Sequence, residues 1–528
     1  MRVRVFICAA LVVLMAGAAF AELQNVQLGG QLEVRGRWYH NAFETGVAPM
    51  RPGPVQRISP AVMGRRATGQ AGVLSLFRYD DVGNDWAFYE MTTSLSAKAD
   101  FTDNVSACIE LYSFEFWGQD FRSNYVTGVD RAAATADDVE ILQSYVQVDE
   151  MFGQPLSLRV GRQILQFGRD LSSFLLASKT TPTQRFAYDG IRLTATPMDN
   201  LTIDAWAMKL AELSPLEQDG DTDFYGVYGT YTGLEPVSLS AYWLWIRDAS
   251  GISDTNGTWL NEQLEDWVGL DQYEGMDMHT VGVAASGKSG SFDYSLNAAY
   301  QFGDAGQLGR MFTRPILGVL YGDDDAEYDC FGGDVSLGYT IDCAWKVRPY
   351  VSACYYDGED NRDISFLEWL NPFSQAEASV SFNRLFSDVN YAPVINDNAD
   401  MTNFWQVNAG VTMTPTEKTW VMLRANNTWA VETFDWPVYF EVGNRRIPFA
   451  PIFPFWTKES DDNLGLSAEI IAKYNYTEDL SLLLYYGHLW PGDGLRDGAY
   501  VNSYGTVMNG GLNDKDADYV FFWTLLKF

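Results

Sequence analysis

The stretch Val26-Gln27-Leu28-Gly29-Gly30-Gln31-Leu32-Glu33-Val34-Arg35-Gly36-Arg37-Trp38-Tyr39 decides the fold. Its even positions are apolar or small. Its odd positions, Gly29 apart, are polar or amphipathic. Side chains of an extended strand alternate between two faces, so one face of this segment meets an apolar medium and the other meets water. The same period of two returns at 87–100, 292–302 and 405–414. Segments of about 10 residues suit strands that cross a bilayer at a tilt.

Extended along the chain, the alternation predicts eighteen strands, at 26–39, 86–101, 105–117, 139–149, 156–167, 185–196, 201–210, 223–232, 237–247, 278–286, 291–302, 330–340, 345–356, 404–414, 419–429, 464–476, 480–490 and 518–528. The connections alternate in length. Tight turns rich in Asp, Asn, Gly or Pro fall at 102–104, 150–155, 197–200, 233–236, 287–290, 341–344, 415–418 and 477–479. Long loops fall between the other pairs. Short turns at one end and long loops at the other predict an all-β fold: a single antiparallel transmembrane β-barrel, with its short turns periplasmic and its long loops extracellular. A soluble sandwich has no reason to sort its loops in this way. In lipid a closed barrel pairs every backbone N–H and C=O and leaves no open edge. Trp38, Trp86, Trp117, Trp405 and Trp490 near strand ends fit interfacial aromatic girdles.

Composition excludes the competing classes. The 528 residues carry 69 Asp+Glu against 36 Lys+Arg, a net charge of −33, which repels nucleic-acid phosphate. With 47% hydrophobic residues the chain is not disordered. Arg2 and Arg4, an apolar run from Val5 to Phe20 and the small-x-small Ala19-Phe20-Ala21 read as an export signal over 1–21, leaving 22–528 as the barrel. Beyond residue 21 no apolar run reaches the roughly 18 residues that a spanning helix needs.

The stretch Ser157-Leu158-Arg159-Val160-Gly161-Arg162-Gln163-Ile164-Leu165-Gln166-Phe167-Gly168-Arg169-Asp170, followed by Arg185-Phe186-Ala187-Tyr188-Asp189-Gly190-Ile191-Arg192-Leu193, resembles paired motifs of the alginate-export family of outer-membrane barrels. Phe382 to Tyr391, Asn403 to Pro415, and Gly487 to Gly492 resemble later elements of that family. The resemblance implies an 18-stranded export or diffusion channel. It also implies a lumenal role for Arg162 and Asp189. By alternation both fall in the apolar register, and a bulge at Gly161 or a rim position would be needed to turn Arg162 inward.

Parity alone turns Arg35, Arg37, Lys98, Arg159, Arg192, Lys346, Arg348, Arg424 and Lys473 inward, with Glu33, Glu90, Asp100, Glu110, Asp204, Asp293, Asp334 and Glu469. Bases and acids are close to balance, whereas a strongly anion-selective conduit requires a basic excess. These residues read as pore-lining or as ion pairs across the barrel wall. The acidic excess then belongs to the loops, at 219–223, 323–325, 357–363, 459–462 and 514–518. There it reads as a solvated surface, or as carboxylates bridged through divalent cations to lipopolysaccharide.

Loop 430–463 is unusually apolar between Val438 and Trp456, and reads as a constriction that brings Arg445 and Arg446 to the permeation path. Cys330 and Cys354 are equidistant from residue 342, so a turn centred there sets them opposite each other, within reach of a disulfide. His40, His279 and His488 lie on distant strands in no catalytic motif, and no Cys/His spacing suits zinc or haem.

The expected function is a porin-like outer-membrane channel of a Gram-negative bacterium that passes hydrophilic solutes by diffusion, without catalysis or cofactor. The alternatives are export of an anionic exopolysaccharide such as alginate, and a surface or adhesion barrel acting through its loops. The expected partners are outer-membrane lipid and lipopolysaccharide, the transported solute or polysaccharide, and the barrel-assembly machinery during biogenesis.

Overall fold

The computed structural model describes residues 25–42, 44–45, 77–78, 84–102, 104–117, 139–168, 174–177, 185–212, 221–249, 276–306, 312–313, 320–321, 326–358, 367, 381–391, 393, 401–433, 435–437, 439–442, 445–448, 457–459, 461–496 and 515–528. The predicted export signal lies outside them. Eighteen strands form the wall. They are β1 (Asn25–Ala42), β2 (Asn84–Thr102), β3 (Val105–Phe116), β4 (Glu140–Val148), β5 (Leu156–Gln163) and β6 (Tyr188–Met198). Next come β7 (Leu201–Ala211), β8 (Thr222–Leu234), β9 (Val237–Asp248), β10 (Met276–Ser289), β11 (Phe292–Gly306) and β12 (Ala326–Tyr339). The last six are β13 (Arg348–Tyr356), β14 (Phe404–Thr416), β15 (Thr419–Ala430), β16 (Asn463–Asn475), β17 (Leu480–Pro491) and β18 (Ala517–Lys527).

Each strand pairs antiparallel with its neighbours in chain order, and β1 pairs with both β2 and β18, so the sheet is closed. The seam runs from Gln31 opposite Lys527 to His40 opposite Asp518. Below it the Gly30 and Phe528 main chains exchange N–H···O bonds of 2.8 and 3.0 Å, which ties down the C-terminus. Closure pairs the backbone groups that lipid cannot satisfy.

Alternation sets the two faces. On β1, Glu33, Arg35, Arg37 and Tyr39 are buried while Val26, Leu28 and Leu32 are exposed. On β2, Glu90, Thr92 and Ser94 are buried while Tyr89 and Leu95 are exposed. Exposed apolar side chains on the outer face of a closed sheet belong to lipid, so the buried polar set faces the lumen. Trp38, Trp117, Trp405 and Trp490 stand on the outer face. Trp405 stacks on Trp429 with centroids 4.1 Å apart, and Tyr89 stacks on Trp117 at 5.1 Å.

The short connections match expectation except one. Between β12 and β13 the chain turns over 340–347, so that Asp334 lies opposite Cys354 and Gly332 opposite Tyr356. The hairpin is centred two residues later than the sequence suggests. Lys346 lies in this turn and is exposed, and so is not on the lumenal wall.

Candidate functional site: the lumen and its inserted segments

The lumenal wall is a set of ion pairs. Arg35 meets Glu33 at 2.5 Å and Arg37 meets Glu90 at 3.2 Å. Arg185 meets Glu110 at 2.5 Å, Arg192 meets Asp204 at 2.9 Å, and Arg348 meets Asp293 at 2.5 Å. Arg424 holds Glu469, which also accepts from Asn426 at 2.7 Å and Ser467 at 3.2 Å. Trp523 donates its indole N–H to Glu33. Lys98 approaches Asp100 only at 3.9 Å. Lys473 takes the lumenal parity of β16 near the periplasmic end. Buried charges persist only when paired. The Arg424–Glu469 group is also fully hydrogen-bonded, whereas Arg37 and Glu90 hold each other as charges without an aligned hydrogen bond.

Arg159 differs. Both its Nε and Nη2 donate to Gln147 Oε1, at 2.9 and 2.5 Å, and its guanidinium lies 4.3 Å from the Tyr145 ring centroid. Among the described residues no carboxylate reaches it within 4.0 Å. It stands directly opposite Arg192 in the ladder.

The positions that family resemblance turns inward face outward instead. Arg162 opposes Asp189 in register, one step from Gly161 opposite Gly190, with no bulge in the β5–β6 ladder. The two form a bidentate pair at 2.7 Å, each about half exposed, in the parity of Val160 and Ile191. Gln163 takes the inward parity and donates to the Gly190 carbonyl at 3.2 Å. Gly161 has φ 124°, a conformation that disfavours a side chain, but it does not shift the register.

The disulfide expectation is also corrected. Cys330 opposes Gln301 on β11 and Cys354 opposes Asp334 on β12, four positions along the strand from Cys330 toward the short turn. At roughly 3.3 Å per residue that offset is about 13 Å, far beyond disulfide reach. Neither cysteine is in a disulfide, and both are buried.

Among the described residues, two segments from other loops fold inward. Residues 381–391, between β13 and β14, and 174–177, between β5 and β6, lie inside the barrel. They pair with each other: the Ala177 N–H donates to Phe386 O at 2.8 Å and the Phe386 N–H to Leu175 O at 2.9 Å. The Phe382 ring occupies the space over Gly332 and packs on Tyr356, centroids 5.4 Å apart. Gln301 exchanges two 2.7 Å bonds with the Asn383 main chain. Phe386 reaches Tyr188 on β6 and Phe224 on β8 at 5.1 and 5.3 Å. The inserted chain therefore covers the inner wall from β6 to β13.

Polar groups lock it in place. Tyr391 donates to Asp334 at 2.6 Å, Asn297 donates to the same carboxylate at 2.8 Å, and the Tyr391 and Tyr356 hydroxyls are 2.9 Å apart. Arg384 lies 5.1 and 5.0 Å from the rings of Tyr356 and Tyr391 and donates to the Met401 carbonyl at 3.1 Å. Sequence reasoning missed Arg384, Gln301 and Tyr391 as site residues. The available signal was a loop segment carrying Phe382, Leu385, Phe386 and Tyr391, too apolar to lie in water. Arg445 and Arg446 begin one arm of a short backbone hairpin, Arg445–Pro448 with Tyr439–Val442, and their side chains lie outside the described residues.

The three histidines all face outward. His279 stacks between Trp245 and Phe302, while His40 and His488 meet Asp85 and Asp518 at 2.8 Å each.

A closed eighteen-stranded barrel with an apolar exterior, a charged lumen and loops folded into it is an outer-membrane channel of a Gram-negative bacterium. The chain belongs to the alginate-export family, whose model matches residues 74–508. The family is one of transport channels. No curated protein matches. Among solved structures the chain is similar to Pseudomonas aeruginosa OccD3 (OpdP), with 10% identity, 97% of this chain and 93% of that one covered, and a TM-score of 0.45. It is likewise similar to Acinetobacter baumannii OccAB1, with 10% identity, 96% and 98% covered, and a TM-score of 0.46. Similarity to the outer membrane protein opdK of Pseudomonas aeruginosa has 8% identity, 95% and 98% covered, and a TM-score of 0.46.

Proposed function

We propose that this channel passes small hydrophilic solutes by diffusion, without catalysis or a cofactor. The observation that carries this reading is charge compensation. Arg35, Arg37, Arg185, Arg192, Arg348 and Arg424 each hold a carboxylate within 4.0 Å. A wall neutralised in this way presents dipoles to a passing solute and little net field, so it discriminates weakly by charge. The inserted segments add a size limit. They take up lumen against β6, β8 and β11–β13, and the charges paired along the rest of the wall line what remains of the path.

Export of an anionic polysaccharide is the second reading. Family membership and the uncompensated Arg159 favour it. The two readings separate in proteoliposome swelling. Diffusion of small solutes predicts fast entry of neutral mono- and disaccharides and no entry of uronate oligomers several units long. Entry of the oligomers at rates like those of the monomers would favour export. We further propose that 1–21 is a cleaved export signal and that the barrel is inserted by the assembly machinery of the outer membrane.

A further inference from the structure

The outer face carries an ordered row of charge. Arg162 on β5 opposes Asp189 on β6, which opposes Lys209 on β7. Lys209 opposes Asp223 on β8, Asp223 opposes Arg247 on β9, and Arg247 opposes Asp277 on β10. Six adjacent strands thus present alternating sign at one height. One step toward the periplasm on the same face the row reads Val160, Ile191, Ala207, Tyr225, Trp245 and His279. There Tyr225, Trp245 and His279 form a ladder of rings with centroids 5.0 and 5.5 Å apart. The next row down is Leu158, Leu193, Ala205, Val227, Trp243 and Val281. Charge above aromatic above aliphatic, each step two residues deep, marks the polar boundary of the outer leaflet.

Most members of the charged row are consumed internally. Arg162 and Asp189 hold each other, Lys209 is shared by Asp221 and Asp223 at 2.7 Å each, and Asp277 accepts the Trp245 indole N–H at 2.9 Å. Arg247 is exposed, and among the described residues no carboxylate lies within 4.0 Å of it. An unpaired guanidinium at headgroup height, over a flat aromatic shelf, is complementary to a phosphate lying in the plane of the membrane. We infer that Arg247 is a docking point for a phosphate of the outer-leaflet lipopolysaccharide, with Trp245 and Tyr225 as the shelf beneath the sugar and acyl chains.

Counting Asp221, the row holds four carboxylates against three cations, so long-range attraction does not supply the contact. The bilayer itself delivers phosphates to this height, and the guanidinium fork selects among them. Nothing in this site touches the lumen.

The test uses the full barrel in detergent with bis-phosphorylated lipid A, monophosphorylated lipid A or phosphatidylglycerol, read by native mass spectrometry. Bis-phosphorylated lipid A should be retained, with affinity lowered about tenfold by Arg247→Ala and partly restored by Arg247→Lys. Channel conductance should be unchanged, and the heat-dependent gel shift of the folded barrel should be retained. Equal retention by wild type and Arg247→Ala would overturn the assignment. So would the same Arg247 dependence for phosphatidylglycerol, which would indicate a generic anionic lipid. An oligomer that Arg247→Ala dissociates would assign the row to a second copy of the chain and overturn it as well.

Discussion

Gly338 leaves open the space through which Arg348 crosses β12 to reach Asp293. The guanidinium starts on β13, passes over Gly338 and closes on a β11 carboxylate with bonds of 2.8 and 2.5 Å. A Cβ at Gly338 would overlap the guanidinium. Both charges keep about a fifth of their surface exposed, so the pair is worth at most about 1 kcal/mol. Gly338→Ala should preserve the barrel, displace Arg348, and shift ion selectivity just as Arg348→Ala does. The double variant should add nothing further. Additive shifts in reversal potential would show that Gly338 does not act through Arg348.

The inserted segment depends on Asp334. Tyr391→Phe removes one of its two described donors and a partner of Tyr356. A buried acceptor that loses a donor costs about 1–3 kcal/mol. That cost falls on the docking of 381–391, so single-channel traces should gain conductance and open-state noise while the barrel stays folded. A quiet channel of unchanged conductance would show that this segment does not narrow the path.

Glu469 gathers Arg424, Asn426 and Ser467. Glu469→Ala leaves the largely enclosed Arg424 uncompensated and should destabilise the barrel by up to about 3 kcal/mol, measured as a shift in the urea midpoint for unfolding in micelles. Removing both partners, as Arg424→Met with Glu469→Leu, should cost much less. If the double variant were as unstable as the single one, the cost would not come from the unpaired charge.

Cys330 and Cys354 should both alkylate in denaturant without reductant, because the ladder keeps them four positions apart. A mass consistent with a bond between them would contradict the register of β12 against β13.

Strand positions were legible in the sequence because lipid and water impose a strict period of two. At Val26 to Tyr39 that period decides which side chain meets which medium, and every strand predicted from it has its counterpart in the barrel. Hairpin centres were less legible. The eight residues at 340–347 satisfy turn chemistry at more than one centre, and the displaced centre moved Lys346 off the wall and separated Cys330 from Cys354. Arg162 and Asp189 show where a motif misleads. Their shared spacing records a bidentate pair on the outer face, and parity, the simpler rule, already placed them there. The inserted segments were illegible for another reason. Phe382, Phe386 and Leu176 have no periodicity to read, and whether an apolar loop packs inside the barrel or above it depends on partners such as Gly332, Gln301 and Asp334, which are distant in sequence.

The central claim is a lumen whose charges are compensated. Reversal potential across a planar bilayer under a tenfold salt gradient tests it most directly. A value near zero, moved toward anion preference by Glu90→Gln or Glu110→Gln, is the predicted result. Strong anion selectivity in the unmodified channel would contradict the account and return the choice to polyanion export.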